Sequence, residues 1–279
     1  MPARPLDNFP LLRSRNIEEV CEVIARVYVK PRSVAAPSIE VLNTTFNNCQ
    51  LRNIDLSYVR YGTAIEFEFP GSNFFSQLFP IRGKGEIALG QDSIALTVGS
   101  GAVISPNVEH LAKYGPDYEH FVLRINANAL TEKLAALTGT AISEPLRMHA
   151  RQDRKQPAAQ LLHQYLPLLV DMLSETDPPF PDWWIAQTEQ FLMTLFLCGH
   201  QHNYSHLLED DRLSAAPPEV RVVEEYIEAN LHQEITLDKL AGIAGVSVFS
   251  LFSAFKKYRG YSPLKFLSQA RSRDRGPVR

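Results

Sequence analysis

The 279-residue chain is poor in the features that announce most chemistries. It has only three cysteines, Cys21, Cys49 and Cys198. Their odd number and wide spacing exclude a disulfide framework and give no metal-binding pattern, so a reducing cytoplasm is expected. No apolar run approaches the ~18 residues of a membrane span, and no membrane partner is expected. The opening MPARPLDNFPLLRSR lacks an apolar stretch, so no secretory signal is expected. No Walker-type glycine loop, nucleophile elbow or paired-carboxylate signature is present. His110 and His120 have no H-x-H pair before them, and a catalytic zinc site needs about three protein ligands. His110 therefore reads as a partly exposed loop histidine. His200-x-His202-x-x-x-His206 lies where a helix runs into a linker, and reads as solvated. No metal, cofactor or enzyme activity is expected.

What is present is an ordinary globular composition, 45% hydrophobic and 21% charged. The length suggests two domains. The net charge of −3 hides an asymmetry. Residues 235–279 hold nine Lys/Arg and two Asp, a net +7, which leaves −10 on the other 234 residues. A basic end on an acidic body is the layout of a phosphate-binding module joined to a non-binding one. A solubilising basic tail has the same composition.

Residues 16–29 read as a short amphipathic helix, with Glu18 and Glu19 favourable in its first turn and Lys30-Pro31 as its stop. From about 38 to 125 the texture is that of short strands punctuated by Gly and Pro. The runs are LSYVRYG (56–62), FFSQLFPI (74–81), GEIALG (85–90), SIALTV (93–98), AVISP (102–106) and HFVLRI (120–125). Such spacing predicts an antiparallel barrel or sandwich, with Gly90-Gln91-Asp92 as a hairpin turn. Helical texture returns at ALTEKLAALTG (129–139), which ends on a glycine suited to the position after a helix. Two leucine-rich amphipathic segments follow, 155–174 and 182–200. Pro167 is expected to kink the first. Their apolar faces pack on the barrel, on each other or on a second copy, so a homodimer is expected. The domains expected are 1–200, a polar linker 201–218, and an all-helical 219–279.

In that last segment, Val220, Val223, Ile227 and Leu231 keep helical spacing. Thr236 is placed to cap a helix carrying Leu237, Leu240, Ala241 and Ala244. Gly245 can take positive φ, and Ser247 can cap a third helix over about 248–258. Val248, Leu251, Phe252 and Phe255 form its expected buried face. Helix, short glycine turn, helix is the helix-turn-helix pattern. In that motif the second helix enters the major groove of double-stranded DNA. Its candidate contacts are Ser247, Phe249, Ser250, Ser253, Lys256, Lys257 and Arg259. Ser250 and Ser253 would meet bases, Phe249 a thymine methyl, and the basic residues phosphates. A helical bundle with a basic surface fits the same pattern.

The run ITLDKLAGIAGVSVFSLFSAFKKYRGYSPLKFL (235–267) resembles the first helix-turn-helix of the AraC/XylS family of transcription regulators. Leu240-Ala241, Gly245-Val246-Ser247, Leu251, Phe255 and Gly260-Tyr261-Ser262-Pro263 carry the likeness. LSYVRYG, FPIRGKGEIALG (79–90), GAVISP (101–106) and HFVLRI resemble that family's cupin-like effector domain, in the version found in regulators of aromatic-acid catabolism. The resemblance implies an α+β chain: a cupin-like antiparallel β-barrel with flanking helices, then an all-α DNA-binding domain. It implies an activator that recruits RNA polymerase in response to a small-molecule effector, an aromatic carboxylate, bound inside the barrel. Tyr58, Arg60, Gln77, Phe79 and Arg82 lie on the strands chosen for that site, where an arginine would pair with the carboxylate. Taken singly, Arg60 and Arg82 also read as outward-facing. The chain departs from the family pattern at Phe249, where a basic or polar residue is usual, and at Ser253, where Arg is usual. It also shows no second helix-turn-helix: the helix from Leu264 is expected to stop after Arg271, and a truncation is expected. A DNA-binding-impaired chain that only binds ligand and dimerises is the alternative. A cupin-type enzyme is a third reading.

Overall fold

The computed structural model describes residues 4–152, 155–175, 180–209, 217–259 and 261–274. The side chains of Ile39, Glu209, Lys257 and 272–274 lie outside that description. Two compact units emerge from the contacts, one formed by Met1–Leu134 with Ile142–Ser205, the other by Ala135–Ala141 with His206–Arg279.

The first unit is built on two antiparallel sheets. The first contains β1 (Pro10–Ser14), β3 (Thr44–Gln50), β4 (Ile54–Arg60), β11 (Glu119–Asn126), β6 (Phe74–Arg82) and β9 (Val103–Ile104), in that spatial order. The second orders β2 (Ser33–Ala35), β5 (Ile65–Phe69), β10 (His110–Tyr114), β7 (Lys84–Leu89) and β8 (Asp92–Thr97). The β7–β8 hairpin closes where expected: Leu89 pairs with Asp92 and Gly90 sits at φ +60°.

The two sheets differ in what covers them. β5 alternates buried Ile65, Phe67 and Phe69 with half-exposed or exposed Glu66 and Glu68, so one face meets the core and the other meets water. β4 and β11 are buried along almost their whole length on both faces. Between the sheets lies one apolar core, which includes Val59, Leu78 and Val122 from the first sheet and Phe67, Ile87 and Leu96 from the second. Helix α1 (Ile17–Val27) adds Val20, Val23 and Ile24 to it. Asn16 caps that helix, its side chain accepting from the Glu18 N–H at 2.8 Å.

The other face of the first sheet is covered by helices. In chain order these are α2 (Ala127–Thr138), α3 (Pro157–Glu175) and α4 (Asp182–Gly199), of which α3 and α4 pack against each other. α3 runs through Pro167 as one element. His163 of α3 meets Phe79 edge-on at 4.9 Å, and Phe196 of α4 meets Phe75 at 6.2 Å. Glu189 of α4, 3% exposed, accepts from the backbone N–H groups of Arg52, Asn53 and Ile54 at 2.9, 2.5 and 3.1 Å. One carboxylate thereby satisfies three amides of the β3–β4 turn.

The segment expected as a linker is structured at its start. His202 bridges Met148, the His149 N–H donates to Gln201 O at 2.8 Å, and Ser205–Glu209 form α5. Residues 210–216 lie outside the described residues. His200 and His202 are buried rather than solvated: His200 Nδ1 meets Phe196 O at 2.8 Å and His202 Nε2 meets Leu197 O at 3.2 Å. They complete the end of α4 by meeting its terminal carbonyls; His206 alone of the three is exposed.

The second unit holds α6 (Pro218–Ala229), α7 (Leu237–Ala244), α8 (Val248–Arg259) and α9 (Pro263–Asp274). Their core joins Val220, Val223, Ile227, Leu240, Ala241, Leu251, Phe255 and Phe266. α9 extends three residues past the expected end at Arg271, and residues 275–279, with Gly276-Pro277, lie outside the described residues. Among the described residues no single helix is long and apolar enough to cross a membrane. The observed α+β architecture is the expected one, antiparallel sheets with flanking helices followed by a helical region.

Candidate functional site

Two places combine exposure or space with chemistry: the gap between the sheets, and the outer side of α8.

Register decides which side chains enter the gap. On β11, His120, Val122 and Arg124 pair with Val59, Ser57 and Asp55 on β4 and with Pro80, Leu78 and Ser76 on β6. Directly paired residues share a face, so this set points between the sheets. A cavity of about 60 Å³ lies there. Its aromatic wall is Tyr28, Tyr61, Phe69, His110, Tyr114 and His120, with Ser72, Ser76 and Arg124 as polar members. It has room for about four water molecules at ~15 Å³ each.

Arg124 is 2% exposed and does not stand alone. Its Nη1 lies 3.2 Å from Asp55 Oδ2 and also donates to Val27 O, while its guanidinium sits over the Tyr28 and Phe74 rings at 4.8 and 3.9 Å. Burial raises the Asp55 carboxyl, opposed by the arginine beside it. His120 is fully enclosed, with Tyr114 and Tyr118 rings 5.0 and 4.8 Å away. Burial pushes its pKa down to about 3, so it is neutral at pH 7. Its Nδ1 has no hydrogen-bond partner, nor does the buried Tyr118 hydroxyl. His110 is the first residue of β10 rather than a loop histidine. It stacks on Phe69 at 5.1 Å, and burial lowers its pKa.

The residues expected to bind an effector lie on the other face. Tyr58, Phe121 and Phe79 pair across the sheet, as do Leu123 and Gln77, and this set faces α3 and α4. Tyr58 donates to Glu119 Oε2 at 2.7 Å, and Arg60 and Arg82 approach Glu119 Oε1 at 3.5 and 3.6 Å. The two arginines share that one carboxylate, and Arg82 is otherwise turned to solvent. Gln77 is wholly buried with both amide atoms unpartnered. The expectation that Tyr58, Arg60, Gln77, Phe79 and Arg82 line the barrel interior is therefore corrected: a slip of one residue along a strand exchanges every side chain between faces. His120 and Arg124 were missed, although they alternate with period two inside HFVLRI.

The second place follows from local chemistry in the helical unit. Thr236 Oγ1 accepts from Lys239 N–H at 3.3 Å and caps α7. Gly245 takes φ +67° and returns its N–H to the end of α7. The chain then turns through 89° into α8, near the range of the helix-turn-helix. Ser247 caps α8, accepting from Ser250 N–H at 3.1 Å, and its hydroxyl lies 2.8 Å from that of Ser250. Leu251 and Phe255 are fully buried and anchor the helix. Val248 and Phe252, expected beside them, are instead 37% and 43% exposed. The buried stripe is narrower than the expected four-residue face, with Leu251 and Phe255 alone of the four enclosed.

Ser247, Phe249, Ser250, Ser253 and Lys256 share exposure on α8, with Phe249 at 80%. The backbone of Lys257 belongs to the same helix, and its side chain lies outside the described residues. Arg259 corrects the sequence reading. Its Nε and Nη2 bond Glu224 Oε1 and Oε2 of α6 at 2.7 and 2.9 Å, with side chains 6% and 10% exposed. That geometry is a bidentate internal clamp, and it leaves no guanidinium free for a phosphate. Arg271 is likewise engaged, donating to Leu231 O and Gln233 O at 2.8 and 2.6 Å. Among the described residues no cluster of three or more ligating side chains could hold a metal ion.

The sequence pattern of the family described as AraC-binding-like domain matches residues 20–198. Similar solved structures include the AraC-like transcriptional activator CuxR, at 13% identity and TM-score 0.49, covering 96% of this chain and 95% of that one. They also include a cupin-like protein from Thermotoga maritima, at 17% identity and TM-score 0.29, covering 34% of this chain and 73% of that one. Ectoine synthase from P. lautus matches at 15% identity and TM-score 0.28, covering 30% and 64%. No match was found among curated protein sequences.

Proposed function

We propose, from the premise that this chain belongs to the family of AraC-binding-like domains, that it is an effector-responsive, DNA-binding transcription regulator. The observation that carries this reading is the division of α8. Leu251 and Phe255 lock one side into a core, while Phe249, Ser250, Ser253 and Lys256 are exposed on the other. A helix held at 89° behind a glycine turn, with such a free side, has the form that enters a major groove. The cavity between the sheets is the effector site. Six aromatic rings line it, an aromatic guest enters only as those walls part, and binding shifts the population competent for DNA. The reading makes the barrel a sensor rather than an enzyme, and the regulator an activator that recruits RNA polymerase to a catabolic operon.

The chain acts as a homodimer in this reading. On α3, Leu161, Leu168 and Met172 are exposed at helical spacing, and Phe191 on α4 continues the apolar surface beside Tyr165 at 5.1 Å. The three free cysteines suit a reducing cytoplasm. The test is a gel-shift titration of the purified chain against the DNA upstream of its own gene at several salt concentrations. Sequence preference with steep salt dependence supports the regulator. Indifference to duplex DNA even in dilute buffer refutes it.

A further inference from the structure

We infer that the cavity between the sheets selects an uncharged ligand, whose donor–acceptor group completes the hydrogen bonding of His120, and that it rejects carboxylates. This rests on reading the cavity as the effector site, and it names the chemistry that site takes.

Charge is the first argument. Of the described side chains lining the cavity, only Arg124 carries a full charge, and Asp55 already balances it at 3.2 Å. Asp55 is itself 8% exposed, and Glu189, a second carboxylate, is close enough to raise it further. His120 offers no second cation, because its burial keeps the ring neutral. An incoming carboxylate would shed its water and face a pair with no positive charge to spare. Removing an ion from water without a partner is among the costliest steps a protein interior can impose. A neutral ligand avoids it.

The second argument is the unfilled hydrogen bond. His120 Nδ1 is buried and unpartnered. A neutral imidazole has one N–H and one lone pair, so whichever form Nδ1 takes, it lacks a partner of the opposite kind. Leaving such an atom unmet forfeits a hydrogen bond that water would have supplied. An amide or hydroxyl supplies both a donor and an acceptor and satisfies either tautomer. A carboxylate supplies acceptors only. The flanking Tyr114 and Tyr118 rings hold the imidazole in place.

Two pairs of probes matched in shape and differing in charge test this: benzamide against benzoate, and butyramide against butyrate. Each is titrated into the full-length chain by calorimetry at neutral pH. The amide is expected to bind at least about tenfold more tightly than its acid in at least one pair. Asp55→Asn leaves Arg124 unbalanced, so that ratio should narrow or reverse in the acid's favour. His120→Phe should weaken the amide and leave the acid unchanged. A circular-dichroism melt establishes that each variant is folded, and the comparison in the unaltered chain stands without them. Acids binding as well as or better than the amides overturn the inference and leave the effector site standing. Binding of neither class at millimolar concentration overturns both.

Discussion

Arg259 offers the sharpest perturbation, because a phosphate contact and an internal clamp respond to its loss in opposite ways. In Arg259→Met the guanidinium disappears and Glu224, with a side chain 10% exposed, is left beneath it without its two bonds. Removing one partner of a buried pair costs about 3–5 kcal/mol, since the carboxylate stays buried while losing both guanidinium bonds. The pair is nearly enclosed, so solvent screening reduces this little. A domain of 60–100 residues loses about 4–8 °C of melting temperature per kcal/mol, so the helical unit should melt at least about 12 °C lower. The assay is a denaturation scan of the full chain followed by far-ultraviolet circular dichroism. The double variant Glu224→Met/Arg259→Met should recover most of the loss, because buried pairs replaced by apolar residues are often neutral in cost. A phosphate contact would instead leave melting unchanged, weaken DNA binding and reduce the salt slope by about one unit. That outcome would refute the clamp.

Lys256→Ala should weaken binding to all duplexes alike and lower the salt slope by about one, read by titration at several salt concentrations. Phe249→Ala should leave the melting curve within about 0.5 kcal/mol, because the ring is 80% exposed. It should change which operator sequences are preferred in a selection from randomised sites. Leu251→Ala, at a fully buried position, should cost about 2–5 kcal/mol in urea unfolding. His120 should contribute to acid stability. The folded ring stays neutral down to about pH 3, whereas an unfolded histidine takes its proton near 6.5. The contribution of this ring is then complete above about 6.5 and declines by about 1.4 kcal/mol per pH unit from there to about 3, a part of the acid loss that His120→Phe should remove in pH-dependent melts. Leu168→Glu places a charge at a 65% exposed apolar position on α3, and should yield monomers by sedimentation without loss of folding.

The helical unit was legible in the sequence because its signals are local. Thr236, Gly245 and Ser247 each fix a helix end through their own side chain or backbone freedom, and the structure uses all three in that way. The strands were located well from alternation and punctuation, yet β5 was overlooked although Ile65, Phe67 and Phe69 alternate cleanly with Glu66 and Glu68. The side of the sheet was the harder question. Tyr58 and Val59 are both buried, and so are Val122 and Leu123, because the first sheet is enclosed on both faces. Where both faces are apolar, alternation loses its contrast and cannot say which set meets the cavity. Arg259 failed for a related reason: a basic residue after Lys256-Lys257 looks like one more phosphate contact until Glu224, 35 residues earlier, is seen to hold it.

The enclosure of β11 has a consequence of its own. Its even-numbered side chains point between the sheets, and its odd-numbered ones share the helix-covered face, where Phe121 meets Tyr58 at 6.1 Å and Leu123 lies beside Leu56 and Gln77. Such a strand is a party wall, with tenants on both sides and no slack between them. Because close-packed interiors pass strain on rather than absorb it, a guest that displaces His120 or Arg124 must also be felt by Phe121 and Leu123.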